Sequence, residues 1–132
     1  MEKKFAENEY VILYTENQIL FIEYKEGTCI NLTVAGKIID LISAVCKEER
    51  YLVLQDMNNL KWIDKASRNF LATHPVTNQM LAWAYHAKDP LHQLMFNIYV
   101  TFSKPEVKSE FFKNSQEGVK WLLKVEQPDE RV

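Results

Sequence analysis

The chain has little of what recognisable active sites are usually built from. It has 3 glycines in 132 residues, Gly27, Gly36 and Gly118. None lies in a GxGxxG or P-loop pattern, so no backbone cradle for a nucleotide phosphate is on offer. GxSxG and HExxH are missing as well. The 2 cysteines, Cys29 and Cys46, form no CxxC pair. Each sits in an apolar segment and reads as a reduced, buried thiol of a cytosolic protein. His74, His86 and His92 do not stand at metal-ligand spacing. His86 closes one element and His92 opens the next, so these two can meet, as a surface pair. Basic residues are not in excess: 16 Lys and Arg face 18 Asp and Glu, a net charge of −2. That excludes the basic face needed for non-specific nucleic-acid binding. No apolar run approaches the ~20 residues of a membrane span, and Met1-Glu-Lys-Lys-Phe lacks the apolar stretch of a signal peptide. The expectation is a cytoplasmic protein with no metal, no cofactor and no catalytic residues. With 47% hydrophobic and 26% charged residues, the composition is that of an ordinary folded domain.

What is present is a change of period along the chain. Residues 10–15 and 19–24 are rich in β-branched and aromatic side chains and are separated by Glu16-Asn17-Gln18, which predicts a hairpin. From Thr33, placed to cap, Val34, Ile38, Leu41, Ile42, Val45 and Cys46 recur at helical spacing. Residues 51–55 make a short apolar strand of the kind buried on both faces. Asn58 and Asn59 suit a polar turn. Ile63, Ala66, Phe70 and Leu71 then share a helical face, with Pro75 beyond its end. Residues 80–85 are another apolar strand. Asp89-Pro90 is a helix start, cap carboxylate first and proline at the first helical position, and Lys104-Pro105 must end that helix. A last strand runs from about Val107 to Phe112, and Asn114 or Ser115 caps a final helix. The order β-β-α-β-α-β-α-β-α predicts one α/β domain over residues 1–126, with a frayed tail at 127–132. Its sheet is mostly parallel, five-stranded, with one antiparallel edge strand.

That order, and the Asp64 turn ahead of the second helix, resemble the STAS domain of anti-sigma-factor antagonists, and more closely the SpoIIAA-like, STAS/Sec14-like group. The ending carries the more specific match. Asp89-Pro90, the Lys104-Pro105 turn and Phe112…Trp121-Leu122 are similar to that group's helix, turn, strand and Phe-x-x-x-x-x-Ala-x-x-Trp-Leu helix, with Gly118 in place of the usual alanine. The resemblance implies a non-enzymatic regulatory or protein-interaction module. In the antagonists the second helix opens Asp-Ser-Ser-Gly, and the first serine is a phosphorylation switch. Matched residue by residue, Asp64 keeps the aspartate and Lys65 takes the switch position, followed by Ala66 and Ser67. Lysine accepts no phosphate from a serine kinase, so the switch is expected to be lost; the alternative is Ser67 as a displaced acceptor. From the residues alone, Asp64 reads as a helix cap; the alternative is a site using Asp56, Asp64 and Lys65.

The segment 91–102, LHQLMFNIYVTF, is apolar nearly all round. On a helix, Leu91, Leu94, Met95, Ile98 and Phe102 form one stripe expected to face the sheet, with Phe96, Tyr99 and Val100 outside it and Phe96 and Val100 toward the rim. Those three are the candidate binding surface. The occupant is a protein partner, a second copy in a homodimer, or a lipid or other small apolar ligand, as Sec14-like folds imply. Internal packing is the plain alternative.

Overall fold

A computed structural model describes residues 3–125; the predicted tail at 127–132 lies outside the described residues. Two strands, β2 (Val11–Glu16) and β3 (Ile19–Tyr24), form the predicted hairpin. Its two-residue turn puts Asn17 and Gln18 at φ 50° and 67°, the left-handed pair that matches the twist of the flanking strands. Strand β1 (Phe5–Glu7) adds antiparallel to β2. On the other side of β3, β5 (Leu52–Asp56), β7 (Ala82–His86) and β8 (Ser109–Phe112) follow in parallel. The main sheet thus has six strands in the order β1-β2-β3-β5-β7-β8, not five. Both the β1–β2 and β2–β3 pairs are antiparallel, not one edge alone.

Three strands were not predicted: β1, and two more outside the main sheet. The segments β4 (Thr28–Ile30) and β6 (Leu60–Ile63) pair in parallel as a separate ribbon. Ile63 therefore ends a strand instead of joining the helical face of the next element. The ribbon delivers the chain side by side into α1 (Leu32–Cys46) and α2 (Lys65–Thr73). Asn31, not Thr33, caps α1: its side-chain oxygen accepts from the Val34 N–H at 3.0 Å. Beyond α2, Pro75 opens a short helix, α3 (Pro75–Asn78). The Asp89-Pro90 start gives α4 (Pro90–Ile98), which continues as a π-helical turn, Tyr99–Ser103. Lys104, at φ 49°, closes that turn ahead of Pro105. Asn114 caps the last helix, α5 (Ser115–Lys124), accepting from the Glu117 N–H at 2.9 Å.

Strand alternation splits the interior into two layers. Leu13, Leu20, Ile22, Val53, Trp83 and Tyr85 share one core with Val34, Ile38 and Ile42 of α1 and Phe96 of α4. The residues between them on the strands, Ile19, Leu52, Leu54, Ala82 and Ala84, form a second core under Leu122 of α5. Burial on both faces explains why 51–55 and 80–85 carry no polar alternation. It also puts α4 on the crowded face, which decides what its side chains meet.

Candidate functional site

The rotation of α4 about its axis is set in its first turn. Asp89 accepts from the Leu91 N–H at 2.8 Å, and His92, one residue on, is buried. The His92 Nε2 lies 2.7 Å from the Leu60 carbonyl oxygen. A carbonyl only accepts, so the ring carries its proton on Nε2. That bond ties α4 to β6. His86 instead faces Asp56 across the sheet, Nε2 to Oδ2 at 4.0 Å, so the two histidines do not make the predicted pair. With His92 inward, the residue four on, Phe96, is inward too. It is 6% exposed, with its ring 5.1 Å from that of Tyr85 and 5.6 Å from that of Phe111. Tyr99 and Val100, one turn later, pack half-buried against the same core.

The apolar stripe expected to face the sheet therefore faces mostly outward. Leu91, Leu94 and Phe102 are 65%, 54% and 74% exposed. Met95 and Ile98, at the boundary, are half-buried. The expectation that Phe96 lines the rim is overturned, since His92 bonds a buried acceptor and brings Phe96 inward with it; Val100 is half-buried. The π-turn adds a residue to the last turn and shifts the side chains after Tyr99 round the axis.

Beneath α4 lies a cavity with about 60 Å³ open to the centres of water-sized molecules. Ile22, Tyr24, Gln55 and Tyr85 of the sheet line its floor, and Ile38 and Ile42 of α1 one wall. Met95, Phe96 and Tyr99 form its roof, and Arg68 and Leu71 of α2 its remaining side. Arg68, Leu71, Met95 and Tyr99 are only half-buried, so the mouth opens between α2 and α4. Ser103 donates to Asn69 Oδ1 at 2.8 Å and ties the π-turn to α2 beside it. Inside, the Tyr24 hydroxyl donates to Gln55 Oε1 at 2.8 Å. Burial pushes Tyr24 and Tyr85 well above the ordinary phenol range, and Tyr99 up to about 12 against a bond from Tyr85. All three stay protonated at neutral pH. They can orient a bound group by hydrogen bonding and have no base to offer.

The Asp64 turn lies at the head of α2. Asp64 accepts from the Ser67 N–H at 2.8 Å, so it is the cap of α2. The Ser67 hydroxyl and then its N–H hold the Asp64 carboxyl below the usual range, with a smaller contribution from Arg68. The Ser67 oxygen is buried, and although it sits close enough to favour that charge it has no partner at hydrogen-bonding geometry; the backbone bond is the one that anchors the turn. Lys65 is exposed, while Ser67 is fully buried. Asp56 is elsewhere: its carboxylate accepts from the Asn58 backbone at 2.9 Å and side chain at 2.8 Å. With Tyr14, Phe21, Glu23 and His86 it lines a shallow cleft of about 170 Å³ beside the start of α5. Burial lowers the pKa of His86, against the pull of Asp56 and Glu23. Among the described residues no three His, Cys, Asp or Glu are grouped to hold a metal ion. Cys46 is buried and its thiol is pushed up to about 11 by that burial. Cys29 is only half-buried, with Sγ 3.7 Å from the Gly27 carbonyl, against the expectation that both are shielded.

Residues 13–126 match the model of a domain of unknown function, DUF7793. The chain belongs to that family. No curated protein matches it. Among solved structures it is similar to an anti-sigma factor antagonist from Mycobacterium paratuberculosis, with a TM-score of 0.63 at 10% identity, over 86% of this chain and 92% of that one. It is also similar to an uncharacterised protein of the DUF3478 family with a SpoIIAA-like fold, from Shewanella loihica, with a TM-score of 0.59 at 11% identity, over 92% and 96%. At these identities the likeness is one of fold, and the fold is SpoIIAA-like. No helix among the described residues is long and apolar enough to cross a membrane.

Sequence reasoning missed His92 and Arg68 as parts of the site. A histidine four residues before an aromatic on an apolar helix was the available signal for the first. Nothing local marks Arg68, because its neighbours in space come from β6, the sheet and α4.

Proposed function

We propose that this domain is a non-catalytic, cytoplasmic regulatory module that binds a protein partner through the outer ridge of α4 and its π-turn. One observation carries the reading. Leu91, Leu94 and Phe102 stand 65%, 54% and 74% exposed on one ridge, while the opposite face of the same helix already supplies the core. Three large apolar side chains on one ridge, rimmed by polar Gln93, Asn97 and Thr101, mark an association surface more than chance exposure does. The anti-sigma factor antagonist of the same fold supports a protein as occupant. Phe96, Tyr99 and Val100 act in this reading from beneath, by holding the ridge in place. The serine phosphoswitch has no counterpart, since lysine stands at its position and Ser67 is enclosed.

Leu94→Glu combined with Phe102→Glu is expected to leave the circular dichroism and urea midpoint nearly unchanged, since surface changes of this kind stay within about 0.5 kcal/mol. The same variant should no longer retain the partner that the wild-type chain retains from its native host, because new charges must be desolvated in the interface. Retention of the same protein by the folded variant would refute the reading. A wild-type dimer in sedimentation that the variant loses would assign the ridge to a second copy instead.

The cavity under α4 favours a second reading, a small apolar ligand. Its volume suits a few carbons. It does not suit a whole lipid chain.

A further inference from the structure

Resting on that second reading, we infer that the cavity beneath α4 takes a short-chain carboxylate, its alkyl end among the isoleucines and its carboxylate on Arg68. The charge census of the lining points there. Of its 17 residues, Arg68 is the one with a permanent charge, and no aspartate or glutamate is among them. Arg68 is also incompletely bonded. One terminal nitrogen donates to the Ile63 carbonyl at 3.1 Å, but Nε is buried without a partner. No carboxylate lies within ion-pair distance of it among the described residues. Asp64, one turn earlier, responds to the Arg68 charge, yet its own bond goes to the Ser67 N–H. A guanidinium has five donors in a planar fork that matches a carboxylate, and a buried donor left unmade is costly.

The walls supply the rest of the specificity. Ile22, Ile38, Ile42 and Leu71 are apolar, and Met95 adapts to the shape of what it covers. A cavity of roughly 150 Å³ holds benzene, so about 60 Å³ accommodates a tail of roughly two to four carbons. Gln55 spends its carbonyl on Tyr24, which leaves its NH2 hydrogens as a second donor.

The test is titration of the full chain with butyrate and with butyramide, followed by methyl NMR shifts of Ile38, Ile42 and Met95. Butyrate should bind the wild type about tenfold or more tightly than butyramide, the ordinary gain of a charge-assisted bond. Arg68→Met should remove that difference while butyramide still shifts the same methyls. Ile42→Phe, filling the cavity, should abolish both sets of shifts. Equal binding of acid and amide would overturn the Arg68 assignment and leave the cavity reading standing. Absence of any shift with either compound would overturn both. If Arg68→Met fails to fold, the wild-type ratio of butyrate to butyramide binding still decides the matter.

Discussion

Phe96→Ala is expected to destabilise the domain by about 3–5 kcal/mol, the usual range for truncating a buried phenylalanine. Phe96 is 6% exposed and its ring packs against those of both Tyr85 and Phe111, so its loss opens the roof of the cavity as well as removing apolar contact. Phe102→Ala is the matched control. At 74% exposure it should change stability by no more than about 0.5 kcal/mol. Urea unfolding of the two variants reads the rotation of α4 directly. The reverse result, a costly Phe102 and a silent Phe96, would mean that the helix presents the other stripe to the sheet. The charge-bearing pair Phe96→Glu with Val100→Lys should fail to fold stably for the same reason, since the aromatic packing is lost and the new charges, even if they pair, must be desolvated on the buried face.

Gly118→Val is expected to cost about 1–3 kcal/mol, the usual cost of forcing extra methyl groups into a filled core. A Cβ at Gly118 would lie 2.7 Å from Leu54 Cδ1, and 3.6 Å from both Ala84 Cβ and Phe112 Cδ2. Leu54 is itself buried, so its methyl has little room to yield. Alanine at the same site meets the same Leu54 methyl but gains roughly 1 kcal/mol of helix propensity over glycine and adds no further methyls, so Gly118→Ala should cost less than Gly118→Val. Equal urea midpoints for the wild type and Gly118→Val would show that α5 is not seated this closely. At Gly118 the last helix lies so close to Leu54 that a glycine fits where a Cβ would overlap.

The parts that were legible in the sequence are those whose cause is local. The Asp89-Pro90 start, the Asp64 cap and the break at Lys104-Pro105 each arise from one residue's own bonding, and each is where the residues predicted. The hairpin and the two-faced strands came from side-chain type and period. The misses are short or paired at a distance. The three residues of β1 and β4 and the four of β6 have too little length to establish a period, and each forms only because a neighbouring strand offers its edge. Asn31 took the cap from Thr33 because β4, unseen in the sequence, ends one residue before it.

Period, caps and composition are properties of the chain alone, and the class of fold, the order of the main helices and strands and the lack of any motif for phosphate or metal chemistry follow from them. Tertiary structure decided which face of α4 is a surface. Two stripes on that helix are apolar enough to be buried, and hydrophobicity is non-directional, so it could not choose between them. The directional bond from His92 to the Leu60 carbonyl did, and that acceptor is supplied by a strand 32 residues away.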